Sequence, residues 1–187
     1  MASESPIFLI GYMACGKTTL GRALQKAFPE LVDFIDLDEY IVDREGRDIP
    51  RIFAESGEPY FRRLEADAIA ELSAREQSSG KRKIVACGGG TPCQPGNMER
   101  MLDAGTVVWL QADMDRTISR LIDAQNSRPL VAGKSPEELA AFVSRNLEAR
   151  TPHYSRAHHH FDTTHLDTLA EVDATVEKFA KLFLLQS

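Results

Sequence analysis

The chain has 187 residues, a formal net charge of -6 and a sequence pI of about 5.4. This length favours one domain, and 43% hydrophobic residues are enough for a buried core. An acidic surface repels phosphodiester backbones, which argues against a nucleic-acid-binding protein, so any positive charge that binds an anion must be concentrated locally.

The cysteines and the N-terminal residues both favour a cytoplasmic location. Cys15, Cys87 and Cys93 are odd in number and irregularly spaced, unlike a secreted disulfide framework or a zinc site. Residues 1–6 lack the basic region and the apolar stretch of a signal peptide, and no uncharged run approaches transmembrane length. We therefore expect a cytoplasmic protein with free thiols and no membrane partner.

Short apolar segments alternate with helical patterns along the chain. The predicted strands are Ile7 to Ile10, Leu31 to Leu37, Ile84 to Ala86, Thr106 to Leu110 and Phe161 to Thr163. The predicted helices are one around Leu20 to Phe28, Glu58 to about Gln77, Asn97 to Ala104, one that begins at Ser135, and one around Leu169 to Leu185. This alternation predicts an α/β protein with a parallel sheet covered on both faces.

The segment from Asp123 to Lys134 contains Gly and Pro and has weak periodicity, which predicts a mobile excursion. Ser135, Pro136 and Glu138 follow it and suit the N-cap, N1 and N3 positions of a helix. The simplest organisation is one domain over residues 1–187 with a flap at about 123–136.

A glycine-rich loop follows the first predicted strand. Residues 11–18 spell GYMACGKT, a full match to G-x-x-x-x-G-K-[ST] between a strand and a helix. Backbone N–H groups of such a loop surround phosphates, while Lys17 would reach the β- and γ-phosphates and the Thr18 hydroxyl would bind Mg²⁺. The alternative is a glycine-rich turn with a chance lysine. The residues that we expect to bind nucleotide here are Gly11, Met13, Ala14, Cys15, Gly16, Lys17, Thr18 and Thr19.

Two aspartates lie near the end of the second predicted strand. At a spacing of two on a strand, the side chains of Asp36 and Asp38 would share one face, at the sheet edge that opens onto the ligand crevice. We expect Asp36 to hold Mg²⁺ and Asp38 to orient an acceptor hydroxyl and take its proton. Alone, such a pair can simply end a strand.

The segment from Phe53 to Glu65 fits the pattern F-x-x-x-G-E-x-x-F-R-x-x-E, which resembles the shikimate kinases. Four other landmarks of that family occur in the expected order. They are the Asp36/Asp38 pair, the glycine run Gly88–Gly90, R-P-L at Arg128 to Leu130 and R-x-x-x-Y at Arg150 to Tyr154. Together the landmarks cover roughly residues 6–165. One departure is Ala14-Cys15, where the family more often has Gly-Ser.

The resemblance implies a nucleoside-monophosphate-kinase-like fold: three layers, with a five-stranded parallel sheet of order 2-3-1-4-5, a substrate-binding segment at about 39–66 and a mobile lid. It implies transfer of a phosphoryl group from ATP, with one Mg²⁺ ion, to the 3-hydroxyl of shikimate. A monomer is the default expectation. The residues implied to bind shikimate are Asp38, Phe53, Phe61, Arg62, Gly88, Gly89, Gly90 and Arg150. Arg128 would descend from the lid onto the phosphates, acting in catalysis with Lys17 and Asp38, and Arg120 would stack on adenine.

Simpler interpretations of several residues stay open. Phe53 and Phe61 could be ordinary core residues, and Arg62 could be a solvated neighbour of Arg63. Glu65, three residues after Arg62, could form no more than a helical ion pair with it. Arg150 could satisfy a helix C-terminus. Gluconate kinase, or a nucleotide-sensing module without catalysis, are the competing functions.

Overall fold

Five parallel strands form one sheet in the order β2-β3-β1-β4-β5. The structure is a computed structural model, and it describes residues 5–74, 80–124 and 133–185. The strands are β1 (Ile7–Ile10), β2 (Val32–Asp36), β3 (Arg82–Ala86), β4 (Thr106–Gln111) and β5 (His159–Asp162). The helices are α1 (Lys17–Ala27), α2 (Leu37–Glu45), α3 (Ile49–Ser56), α4 (Glu58–Leu72), α5 (Asn97–Ala104), α6 (Met114–Asp123), α7 (Pro136–Tyr154) and α8 (Leu169–Phe183). The predicted strand order is confirmed.

Helices cover both faces of the sheet, as the continuous apolar strands require. One core contains Phe8 and Ile10 of β1 together with apolar residues of α4 and α5. The other contains Ile7 and Leu9 with apolar residues of α1 and α8. Because alternate residues of β1 enter opposite cores, the molecule has the predicted three layers.

Several predicted boundaries change. Helix α4 ends at Leu72 rather than near Gln77, because Leu72 is its last buried apolar residue and the following Ser73 and Ala74 close a turn. Strand β5 begins at His159 rather than Phe161, with side chains that are mostly exposed, so its first residues lack an apolar signal. The predicted cap at Ser135 is confirmed, since Ser135 and Glu138 form a reciprocal capping box.

Helices α2, α3 and α6 were not among the predicted elements. Helix α2 follows β2 without a connecting loop, so its apolar residues continue the pattern of the strand. Among the described residues, no helix is both long and apolar enough to cross a membrane.

Candidate active site

A cavity of about 830 Å³ opens at the carboxyl ends of β1, β2 and β3. Ligands of open α/β sheets bind at this edge, and the volume is typical of a small-molecule site. Residues of the glycine-rich loop line one side, and Asp36, Asp38, Gly88 and Gly89 line the other. The cavity therefore joins most of the predicted nucleotide residues with part of the predicted acceptor site. The predicted acceptor residues that do not line it are Phe53, Phe61, Arg62, Gly90 and Arg150.

The glycine-rich loop requires glycine at both ends. Gly11 and Gly16 have φ angles of 142° and 93°, and a Cβ on Gly16 would lie 2.3 Å from Leu166 Cδ2. Lys17 begins helix α1, and its Nζ donates hydrogen bonds of 2.8 Å to the carbonyl oxygens of Gly11 and Tyr12. The loop is thus held in a turn at the positive end of a helix, which is where phosphates bind.

The loop departs from an ideal phosphate cradle at one residue. Ala14 has a φ of 60°, in the left-handed region that favours glycine. Its neighbour Cys15 is buried, with its Sγ 3.5 Å from Lys17 Nζ. Alanine at position 14 therefore holds strained backbone within the loop.

A hydroxyl and a carboxylate meet beside the loop. Thr18 Oγ1 donates a 2.7 Å hydrogen bond to Asp36 Oδ2. Oxygen ligands suit Mg²⁺, which usually takes one or two protein ligands together with phosphate oxygens and water. Among the described residues, no group of three or more His, Cys, Asp or Glu side chains could hold a metal ion. The Thr18–Asp36 pair supplies oxygen ligands of the kind that Mg²⁺ takes.

The prediction that Asp36 and Asp38 share a strand is wrong. Asp36 is the last residue of β2 and caps α2, and its Oδ1 accepts a 3.1 Å hydrogen bond from the backbone N–H of Asp38. Asp38 lies in the first turn of α2, because the strand stops where its carboxylate cap begins the helix. Both side chains still line the cavity.

The pKa of Asp38 is raised to about 6, first by burial and then by the negative charges of Asp36 and Glu65, while Lys17 and Arg62 oppose the shift. Asp38 is therefore ionised at neutral pH but is more basic than a free carboxylate. Such a group can accept a hydroxyl proton.

The glycines of the run Gly88–Gly90 lie against charged side chains. A Cβ on Gly88 would lie 3.3 Å from both Asp38 Oδ1 and Glu65 Oε1, one on Gly89 would lie 3.1 Å from Arg150 Nη1, and one on Gly90 would lie 3.3 Å from Arg62 Nη1. The run therefore gathers two carboxylates and two guanidinium groups from α2, α4 and α7 around a backbone without side chains.

Arg62 is held by carboxylates of its own helix. Its Nη1 donates a 2.7 Å hydrogen bond to Glu65 Oε2, and its Nη2 donates one of 2.7 Å to Glu58 Oε1. Glu65 is 1% exposed, and its other oxygen accepts a hydrogen bond from the hydroxyl of Thr91, just after the glycine run. Arg62 is therefore not a freely solvated side chain, and Glu65 supports it as part of a buried network.

The two phenylalanines have different surroundings. Phe61 is 5% exposed and belongs to the core, whereas Phe53 is 36% exposed, with its ring centroid 4.9 Å from that of Phe61. Ile49 and Pro50, at the start of α3, line the cavity and were missed. Apolar residues without a motif carry no sequence signal for a site.

Arg120 lines the cavity together with Leu166 and Asp167. Its Nε donates to Asp167 at 2.6 Å, and its Nη2 donates to the carbonyl oxygens of Thr163 and Thr164. These contacts hold the guanidinium beside the phosphate loop. Leu166 and Asp167 were not predicted as site residues, since they match no sharp motif.

Arg128 and most of the predicted lid, residues 125–132, lie outside the described residues.

The three cysteines are free, as expected. Burial raises the pKa of the Cys87 and Cys93 thiols. The side chains of the consecutive residues His159 and His160 lie on opposite faces of β5 and do not meet. His159 packs edge-on against Phe183, and His160 packs edge-on against Trp109.

The chain matches a family model and curated relatives over most of its length. The family model for shikimate kinase matches residues 13–181. The chain belongs to the shikimate kinase family. A shikimate kinase of Phocaeicola vulgatus is 41% identical over 175 residues, which cover 94% of this chain and 96% of the relative.

Solved structures of shikimate kinases also resemble this chain. A crystal structure of shikimate kinase from Bacteroides thetaiotaomicron has a TM-score of 0.86 at 36% identity, covering 97% of this chain and 99% of that one. Shikimate kinase from Acinetobacter baumannii in complex with shikimate has a TM-score of 0.76 at 30% identity, covering 97% and 96%.

The family determines the reaction. The protein is a kinase that uses ATP to phosphorylate shikimate, a step of aromatic amino-acid biosynthesis. Gluconate kinase and a sensing module without catalysis, the two competing functions, are not favoured by these relatives.

Proposed function

We propose that ATP binds the glycine-rich loop, that shikimate binds against the glycine run Gly88–Gly90, and that the two substrates meet at Asp38. The observation that supports this arrangement is the close approach of Asp38, Arg150 and Arg62 to the three successive glycines. Shikimate carries one carboxylate and three hydroxyls. This matches a site in which two guanidinium groups can bind the carboxylate and Asp38 can accept from a hydroxyl, while the other carboxylate, Glu65, is engaged by Arg62 and Thr91. Glycine backbone at the centre leaves room for a ring.

In this proposal Arg62 and Arg150 bind the substrate carboxylate. A guanidinium group recognises a carboxylate through two parallel hydrogen bonds. Asp38 accepts the proton of the 3-hydroxyl as its oxygen attacks the γ-phosphorus, and the bond from that phosphorus to the β-phosphate oxygen breaks to release ADP. Phe53 and Phe61 are proposed to form an apolar wall, with Phe61 fixed in the core.

Lys17 is proposed to contact the β- and γ-phosphates, and backbone N–H groups of residues 11–19 to surround them. Thr18 and Asp36 would hold one Mg²⁺ ion, which neutralises charge on the triphosphate. Arg120 is proposed to lie against adenine, and Arg128 keeps its proposed contact with the phosphates on the sequence resemblance alone. One P-loop domain, with the substrate-binding segment at about 39–66 and the lid at about 123–136, also stays a proposal.

The assignment of the two arginines is tested with lysine variants. Arg62→Lys and Arg150→Lys should each raise the KM for shikimate by about tenfold or more, because lysine cannot form the paired hydrogen bonds. Arg63→Lys, an exposed position on the same helix, is the control and should leave the KM unchanged. If all three variants behave alike in a coupled ADP-release assay, the assignment is wrong.

The metal assignment needs a different measurement. Asp36→Asn should raise the Mg²⁺ concentration needed for half-maximal turnover, because it replaces a charged oxygen with a neutral amide. An unchanged Mg²⁺ titration would remove Asp36 from the site. NMR of the reaction mixture tests the identity of the product, which we expect to be shikimate 3-phosphate.

We also propose a monomer in the cytoplasm that binds no nucleic acid. The net charge of -6 supports the last point. Sedimentation at micromolar concentration tests the oligomeric state.

A further inference from the structure

Tyr12, the second residue of the glycine-rich loop, places its ring beneath Arg150. The Arg150 Cζ lies 5.4 Å from the centroid of the Tyr12 ring. The tyrosine is 3% exposed and belongs to a small apolar cluster with Leu121 of α6 and Leu139 and Val143 of α7. The ring therefore lies between the phosphate loop and the helix that carries Arg150.

The phosphate loop itself does not require this side chain. The loop holds phosphates with backbone N–H groups, and Tyr12 contributes its carbonyl oxygen to Lys17 through the backbone. The Tyr12 hydroxyl is buried and has no hydrogen-bond partner among the described residues. A buried hydroxyl without a partner is unfavourable, so the ring, not the hydroxyl, explains why the residue fits here.

The two arginines of the acid-binding site are held in different ways. Arg62 forms ion pairs of 2.7 Å with both Glu58 and Glu65. Within the described part of the chain, Arg150 has no carboxylate at ion-pair distance. Its guanidinium group lies over the Tyr12 ring and forms a side-chain hydrogen bond with Tyr154. An aromatic face attracts a guanidinium group within about 6 Å of its centroid without competing as a bidentate acceptor.

We infer that Tyr12 is a positioning residue for the acid substrate: its ring helps to orient the Arg150 guanidinium while leaving the donors that Tyr154 does not use available to a carboxylate. This inference rests on the proposed role of Arg150. The ring fixes a side chain that otherwise has many rotamers, which lowers the entropy lost when the substrate binds. The same residue connects the nucleotide loop with the acid site.

Two substitutions distinguish the contribution of the Tyr12 ring from that of the Tyr12 hydroxyl. Tyr12→Leu should raise the KM for shikimate by about three- to tenfold, with kcat and the KM for ATP within about twofold of wild type. Tyr12→Phe should keep the wild-type KM. A purely structural defect would lower kcat through loss of active protein and leave the KM for shikimate unchanged.

Phe142→Leu is the matched control, since Phe142 packs against the same apolar cluster and makes the same aromatic-to-leucine change away from Arg150. It should leave the KM for shikimate unchanged. If Tyr12→Leu does not fold, Tyr12→Met gives the same comparison. The inference is overturned if Tyr12→Leu, or Tyr12→Met in its place, keeps the wild-type KM for shikimate. It is also overturned if Tyr12→Phe or Phe142→Leu raises that KM by the same factor.

A double-mutant cycle distinguishes this inference from the assignment beneath it. Arg150→Met should raise the KM for shikimate, and adding Tyr12→Leu to it should produce no further rise, because the ring then has no guanidinium to orient. If Arg150→Met leaves the KM unchanged, the assignment of Arg150 fails and the inference fails with it. If Arg150→Met raises the KM and the effects of the two substitutions multiply, Tyr12 does not act through Arg150, and the inference alone fails.

Discussion

Replacing Asp38 with asparagine should make the protein more stable at pH 8 while almost abolishing turnover. The pKa of Asp38 is about 6 in the folded protein, against an ordinary value of 3.8, so folding disfavours the ionised carboxylate. This difference corresponds to at most about 3 kcal/mol when Asp38 is fully ionised. Because the side chain is only partly buried, we expect a gain of about 1–2 kcal/mol in the free energy of unfolding.

The sign of this effect depends on pH. Below pH 3.8 the carboxyl is protonated in both the folded and the unfolded chain, so the Asp38 penalty is absent. The penalty grows as the pH rises and is complete above a pH of about 6. The stability difference between Asp38→Asn and wild type should therefore be small at pH 4 and largest at pH 8.

Urea unfolding in the presence of EDTA measures this difference without a contribution from Mg²⁺. Asp43→Asn removes one negative charge from an exposed position on the same helix, and it should change stability by less than about 0.5 kcal/mol. An Asp38→Asn variant that is no more stable than wild type at pH 8, or a gain that does not shrink at pH 4, would refute the electrostatic reasoning.

Three glycine and alanine positions give further predictions. Gly89→Ala should raise the KM for shikimate by about tenfold, measured by coupled assay, because its Cβ would lie 3.1 Å from Arg150 Nη1 and displace that group. Ala14→Gly should stabilise the protein by about 0.5 kcal/mol in thermal unfolding, since it relieves a φ of 60°. Gly21→Ala should destabilise it by about 1–3 kcal/mol in urea, because the new Cβ would overlap the ring of Phe34, which lies 1.9 Å away.

The sequence predicted the sheet and the phosphate loop well because both depend on local patterns. A buried parallel strand is a continuous apolar run, and the loop Gly11–Thr18 has fixed spacing for a backbone that must surround phosphates. The boundary between β2 and α2 at Asp36 was harder to predict. A residue that both ends a strand and caps a helix belongs to two elements, and period-2 reasoning extended the strand one step too far.

Other parts of the site had no local signal. Ile49, Pro50 and Leu166 line the cavity only because the fold brings distant segments together. The contact between Tyr12 and Arg150 joins residues that are far apart in the chain and match no common motif. The resemblance to a known family supplied the proposed acid-binding residues, whereas the structure shows which side chains contact each of them.

Glu65 illustrates why such supports matter to the chemistry. Its buried carboxylate holds Arg62 and links it to Thr91, but the same negative charge raises the pKa of Asp38. If Arg150 were also paired with a carboxylate, both guanidinium groups of the proposed acid site would already be engaged by carboxylates of the protein. An aromatic ring orients a guanidinium group without adding negative charge. In the inferred arrangement, a carboxylate holds one arginine and the Tyr12 ring helps to hold the other, so the acid substrate meets one guanidinium group that no protein carboxylate occupies.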